Sequence, residues 1–284
     1  MIQNKQTVVN FLLTGDCNER DEPSYQVYEQ IARSSNGQVY DMQKNDITEV
    51  LMAIRHSIDD NYAALKNVDN ENAGTSETQL NVDKTISELS VSVAGKNPRL
   101  TITDPKNKTT VGDSELTLEN LKIIKIKDPI AGKWNVEAEA NSSHSIRLGA
   151  ISEMKFKFGF SLETPAKISE TSYQPLVGHT NVLSVFISDP SLVNVLNNIT
   201  IILVPTNPSE ISQKFTIPLI KTQDDVYSTK PFDIPRQMFK IQLNGIDAAS
   251  NDIERLISTS IQSTKGSKSR IKIKMSSKYM MNYS

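Results

Sequence analysis

Apolar positions in the first 66 residues switch between two periods. Val8, Val9, Phe11, Leu12 and Leu13 form a short run closed by Thr14, Gly15 and Asp16, which predicts a buried strand over Thr7 to Leu13. Pro23 then opens a stretch in which Tyr25, Tyr28, Ile31 and Ala32 fall on or near one helical face, and Asn36-Gly37 supplies the turn that ends it. Gln38 to Met42 reads as a second short strand. Asp46 followed by Glu49 three residues on resembles a capping box, and Ile47, Val50, Leu51, Ile54 and Ile58 repeat at helical spacing behind it. Strand, helix, strand and helix with short links imply parallel strands joined by a crossover.

This rhythm stops near Lys66. Residues 67–84 are rich in Asn, Asp, Glu, Ser and Thr, which is the composition of a linker. From residue 85 the pattern has period two: Leu89, Val91 and Val93, then Leu100 and Ile102, Ile124 and Ile126, Trp134 and Val136, and Ile146 and Leu148. A second block starts at Met154, where Phe156, Phe158 and Phe160 alternate with Lys155, Lys157 and Gly159. Further strands are expected at Val182–Ile187, Ile199–Val204, Phe215–Leu219 and Phe239–Leu243. Short alternating strands at such spacing pack as two-sheet sandwiches. The predicted fold class is mainly β: two β-sandwich domains, residues 85–153 and 154–262, preceded by a partial α/β segment over 1–66 and the 67–84 linker. Residues 263–284 form a basic polar tail. Trp134 is the expected anchor of the first core, and Phe156, Phe158 and Phe160 are expected to join the two β blocks. Two strands and two helices leave apolar surface unmatched, so the first segment should be loosely held or lean on the adjoining sandwich through Ile54 and Ile58.

Composition removes several classes of function. The chain has 284 residues, 37% hydrophobic and 23% charged, with a formal net charge of -2 and a pI near 6.0. That balance argues against a nucleic-acid binder, which would carry a strongly basic field. A single cysteine, Cys17, rules out an intramolecular disulfide. The longest apolar run, Ile199 to Val204, is far short of the roughly 18–20 residues that span a bilayer, so no transmembrane segment is expected. The first residues lack the basic start and long apolar stretch of a secretory signal, and on that ground alone the protein would be placed in the cytosol.

Candidate chemistry is sparse. His56, His144 and His179 show no metal-ligand spacing, and HExxH, GxSxG and Gly-rich phosphate loops are absent. Each histidine is read as structural or surface-exposed, and Cys17 as an unpaired thiol without a histidine nearby in sequence. Asp59-Asp60 and Asp224-Asp225 are adjacent carboxylates whose side chains diverge, so they read as solvated loop charge. No catalytic, cofactor-binding or metal-ligating residue is assigned. Asn107, Asn141, Asn198 and Asn282 begin Asn-x-Ser/Thr sequons; the first three are candidate N-glycosylation sites, although four such sequons are about the number expected by chance. The basic tail offers nonspecific electrostatic binding to sulfated glycans, acidic membranes or RNA, or is simply a solvated terminus.

Longer motifs carry a resemblance. VNFLLTGDCNE followed by YQVYEQIARSSNGQVYDMQKNDITEVL resembles the last strands and helices of the von Willebrand factor A domain of hemicentins and of the related von Willebrand factor A domain-containing protein 7 group. LSVSVAGKNPRLTITDPKNK and IIKIKDPIAGKWNVEAEANSSHSIRLGAISEMKFKFGFS are similar to the hemicentin galactose-binding-domain-like sandwich. YQPLVGHTNVL and PRQMFKIQLNGIDAASNDIERLIST resemble the immunoglobulin-like domain that follows it. The resemblance covers about residues 7–262 and implies a secreted, extracellular module of the matrix and cell-adhesion type, without catalysis or cofactor, whose partners are matrix or cell-surface proteins. It also implies a DxSxS metal-ion-dependent adhesion site in the upstream half of the A domain. Here that half is expected to be missing, and Asp189-Pro190-Ser191-Leu192-Val193 fails the motif and lies outside that domain, so no metal ligand carries over. The alternative is a glycan- or calcium-binding, lectin-like sandwich using loops such as Asp104 to Asp113.

Overall fold

The computed structural model describes residues 6–15, 22–176, 178–187, 197–207, 214–223, 225–247 and 249–262. Asp16, Cys17, Asp224, the Asp189–Val193 stretch, Asn282 and the basic tail lie outside the described residues.

Strands β1 (Phe11–Thr14) and β2 (Val39–Met42) pair in parallel, with helix α1 (Pro23–Ser34) as the crossover between them. Alternation along the strands sends Phe11, Leu13 and Val39 toward Tyr25 and Ala32 of α1. It sends Leu12, Tyr40 and Met42 the other way, onto Val50 and Ile54 of α2 (Ile47–Ile54) and onto Ala94, Leu121 and Ile123 of the first sandwich. A parallel sheet needs cover on both faces, and here the sandwich supplies part of the second. The segment therefore leans on its neighbour through Ile54, as expected, but not through Ile58, which is 82% exposed. The cause is local: at Arg55 the α-helix tightens into a 3-10 turn, Arg55–Ile58, and the 3.6-residue phase that would bring Ile58 to the interface is lost. Ile54→Val should accordingly lower stability by about 1 kcal/mol, and Ile58→Val by less than about 0.5 kcal/mol, in urea unfolding followed by circular dichroism.

The first sandwich holds β3 (Tyr62–Asn70), β4 (Gly74–Val82), β5 (Ile86–Ala94), β6 (Arg99–Thr103), β7 (Ser114–Thr117), β8 (Leu121–Lys127), β9 (Gly132–Ala140) and β10 (His144–Ser152). One sheet runs β3-β10-β5-β8-β7 and the other β4-β9-β6, all antiparallel. Most of residues 67–84, expected as a linker, are thus strand. The ladder bonds of β3 to β10 and of β4 to β9 are made by backbone alone, so side chains that face water or a polar junction can be Asn, Asp, Ser and Thr without loss of the strand. Apolar residues return where the hairpin meets the core, at Leu65, Leu80 and Val82. Trp134 is buried at the centre of that core, as its composition and position predict, and its indole Nε1 donates to the Ile130 carbonyl at 2.9 Å.

The second sandwich comprises β11 (Phe156–Ser161), β12 (Thr180–Ile187), β13 (Asn197–Pro205), β14 (Phe215–Pro218), β15 (Ile220–Gln223), β16 (Val226–Ser228), β17 (Phe232–Asp233), β18 (Phe239–Ile246) and β19 (Asp252–Leu256). Its sheets are ordered β11-β12-β16-β15 and β14-β13-β18-β19, with β17 paired to β12. Lettered along the chain with β17 left out, this strand order matches the A-B-E-D and C′-C-F-G order of immunoglobulin-like sandwiches. The core between them is apolar, built from residues such as Leu183, Val185, Ile201, Leu203, Ile241 and Leu243. Phe158 and Phe160 pack in this core, with Phe156 against it, because residues two apart on a strand share a face. They therefore stabilise the second sandwich, and the polar contacts that join it to the first are made by other residues.

Candidate functional site

The α1–β2 turn, the outer face of β10 and the end of β19 meet in one polar junction. Asn36, at φ +64°, closes α1 and reaches both sandwiches: its Nδ2 donates to the Ser258 carbonyl at 2.7 Å and its Oδ1 accepts from Asn67 Nδ2 at 3.1 Å. Asn tolerates this left-handed backbone better than most residues. Gln38 is buried; its Nε2 donates to the Ser145 carbonyl and Oγ, and its Oε1 accepts from Ser92 Oγ at 2.6 Å. Ser260 N donates to the Ser34 carbonyl at 2.7 Å, and Thr259 N to Gln6 Oε1 at 2.7 Å. Gly37 has no room for a side chain, since a Cβ there would stand 1.9 Å from the Val9 carbonyl oxygen.

Arg147 organises the charge. Ile146 and Leu148 point into the first core, so Arg147 points outward, yet the α/β segment covers it to 8% exposure. Its Nε donates to the Gly37 carbonyl at 2.7 Å, its Nη1 to the Val68 carbonyl at 3.2 Å, and its Nη2 to Asp69 Oδ1 at 2.8 Å. Asp69 also lies 3.6 Å from Arg33 of α1. Burial works to raise the Asp69 pKa, but Arg147 first, then Arg33 and Lys240, hold it below the ordinary carboxylate range. Lys240 of β18 experiences the opposite balance: burial, together with Arg147 and Arg33, outweighs Asp69 and pushes its pKa down to about 7.

A second cluster locks the two sandwiches together. Asp83, just after β4, and Arg255, on β19, are 0% and 2% exposed and meet at 2.7 Å between Oδ2 and Nη1. Arg255 Nη2 donates to Ser152 Oγ at 3.0 Å and Thr85 Oγ1 at 3.2 Å, while Thr85 N and Oγ1 donate to Asp83 Oδ1. Here too burial raises the carboxyl pKa, and Arg255 with the Thr85 hydrogen bonds more than reverses it. Lys66 and Glu254 add a looser contact at 3.7 Å across the same seam.

The residues singled out from sequence lie elsewhere. His144 is buried in hydrogen bonds with Asn70, Ser76 and the Ser142 carbonyl. His56 stacks edge-on to Tyr62, and burial, aided by Lys125, pushes its pKa down to about 4. His179 is exposed. Asn107 and Asn198 are exposed at positive φ, and Asn141 is exposed at the end of β9. In the Asp104–Asp113 loop the Asp104 carboxylate already accepts from Lys106 N and Lys108 N, and Asp113 from Lys127 N, so both serve to pin the loop. Among the described residues, no group of three or more His, Cys, Asp or Glu could hold a metal ion. The junction residues escaped sequence reasoning. A charged residue inside an apolar strand run, Arg147 in SIRLGAI or Arg255 in DIERLI, is the one signal that could have found them.

Comparison with known proteins follows the same division. Residues 1–44 match the von Willebrand factor A domain family, and residues 63–153 match the hemicentin galactose-binding domain-like family. The molecule is thus of the class that joins a von Willebrand factor A segment to a galactose-binding-like β-sandwich. Hemicentin-1 of Homo sapiens and of Mus musculus are each 30% identical to it over 275 residues, which is 93% of this chain and 5% of theirs. Hemicentin-2 of Mus musculus is 26% identical over 265 residues, 90% of this chain and 5% of its own. By sequence the chain is similar to hemicentins over nearly its whole length, and it spans about one-twentieth of the length of these relatives. Among the described residues no helix is long and apolar enough to cross a membrane.

Proposed function

We propose that this chain is a non-catalytic module of the extracellular matrix and cell-adhesion type, acting as a rigid spacer and a surface for matrix or cell-surface proteins. The division we assign is an A-like segment through Ile58, a galactose-binding-like sandwich from Tyr62 to Glu153 and an immunoglobulin-like sandwich from Met154 to Gln262. The observation that carries the reading is similarity to hemicentins across all three units together, 90–93% of the chain. The buried contacts at Asn36, Arg147 and Arg255 support it, since they fix the units against one another, and a spacer transmits position only if its joints do not bend. Two measurements test it. Produced behind a secretion signal in cultured fibroblasts, the chain should be retained in the detergent-insoluble matrix layer; recovery in the medium alone would overturn the assignment. On the same route Asn107 and Asn141 should carry N-glycans, so Asn107→Gln and Asn141→Gln should each remove one glycan's worth of mass by gel mobility, and peptide-N-glycosidase should abolish the difference.

A further inference from the structure

A cleft of about 240 Å³ opens where the three units meet, between α1, β3, the end of β13 and β18. Four cationic side chains line it: Arg33, Lys66, Lys214 and Lys240. One carboxylate, Asp69, lines it and is already taken up by Arg147 and Arg33, and Glu71 lies 3.9 Å from Arg33. Lys66 is held by Glu254 and by the Gln79 carbonyl. Lys240 differs from the others. It is 5% exposed, with Asp69, Arg147 and Arg33 as its charged neighbours. The guanidinium Nε of Arg33 is buried without a hydrogen-bond acceptor. A buried guanidinium N–H without an acceptor costs free energy, and the lining carries four cations and one carboxylate, with Glu71 3.9 Å from Arg33 and Glu254 3.7 Å from Lys66 beside it, so cations outnumber carboxylates.

We propose that this cleft is a binding site for a tetrahedral oxyanion, a sulfate or phosphate group, held by Lys240 and Arg33 with Lys66 and Lys214 at its mouth. Such a group accepts several hydrogen bonds at once and suits both an ammonium and a guanidinium donor. The group belongs either to a free ion or to a sulfated glycan chain. Because burial, together with Arg147 and Arg33, outweighs Asp69, the Lys240 proton is poorly held, and an entering anion draws a proton onto it. Binding above neutral pH is therefore coupled to proton uptake. Anion binding here does not depend on matrix deposition and stands or falls separately from it.

Calorimetric titration of the full chain with sodium sulfate, with inorganic phosphate and with a heparin hexasaccharide, against chloride at matched ionic strength, tests the site. Sulfate or phosphate should bind with a dissociation constant of about 1 mM or tighter, and Lys240→Met should weaken it at least about tenfold. Repeating the titration at pH 8 in two buffers of different ionisation heat should reveal proton uptake in the unsubstituted chain. Hexasaccharide binding with the same dependence on Lys240 assigns the group to a glycan, and binding of the inorganic anions alone assigns it to a free ion. Absence of binding by both inorganic anions, or binding that ignores Lys240→Met, overturns the proposal. Should Lys240→Met not fold, proton uptake in the unsubstituted chain decides, and its absence overturns the site.

Discussion

Arg255→Met will lower the stability of the first sandwich by about 3–5 kcal/mol, although Arg255 belongs to the second. The substitution leaves the Asp83 carboxylate fully buried with only Thr85 N and Oγ1 as donors, and an uncompensated buried charge is among the costliest single defects a fold can carry. Trp134 is the sole tryptophan and sits in the first core, so its fluorescence in a urea titration reports that sandwich alone. The pH dependence fixes the cause. Asp83 has a folded pKa below its unfolded value, so its contribution is present above about pH 4 and fades as pH falls through the folded value. In Arg255→Met burial is opposed only by the Thr85 hydrogen bonds, the carboxyl pKa rises, and protonation relieves the defect; the gap between the two proteins should narrow as pH falls toward 4. The pair Asp83→Ala with Arg255→Met should recover much of the loss, because neither charge then remains buried alone. A deficit that is independent of pH, and that persists in the double variant, would assign it to lost packing of the arginine stem instead.

What was legible from sequence divides along the same physical line. Periodicity reports which face of an element is apolar, and it located β1, α1, β2, α2, Trp134 and the alternating strands from Leu89 onward. It is silent on polar residues that are buried because another unit covers them. The β3–β4 hairpin read as linker because Asn67, Asp69 and Asn70 look solvated in sequence, whereas Asn67 and Asp69 face the junction and Asn70 bonds to His144. Arg147 looks like an outward strand residue and is one, but outward from the first sandwich means inward toward Gly37 and Asp69. Ile58 fails in the opposite sense, since helical spacing was extrapolated through the 3-10 turn at Arg55. Family resemblance supplied the order of the units, which local patterns cannot, and left the joints between them to the structure.

Arg147→Met should release the α/β segment from the sandwich while both sandwiches stay folded. It deletes the hydrogen bond that ties the α1–β2 turn to β10 at the Gly37 carbonyl and the ion pair to Asp69, and leaves the Gln38–Ser145 and Asn36–Asn67 hydrogen bonds as the remaining polar ties to β10 and β3. Breaking a buried pair from one side costs about 3–5 kcal/mol, and here the lower end applies because Arg33 and Lys240 remain beside Asp69. At 1.36 kcal/mol per decade, amide protection in β2 and α2 should fall roughly a hundredfold, with β9 unchanged. Equal loss in β9 would mean global destabilisation and would refute a role confined to this joint. The same residue governs the alkaline side. Lys240 has a folded pKa near 7 against an unfolded value of about 10.4, so the unfolded chain binds the extra proton throughout that interval and stability rises with pH across it. Removing Arg147 takes away a cation that opposes the Lys240 charge, lifts its pKa and pairs it more firmly with Asp69. The rise in stability should then begin at higher pH and be smaller, which separates loss of a charge from loss of a side chain's volume.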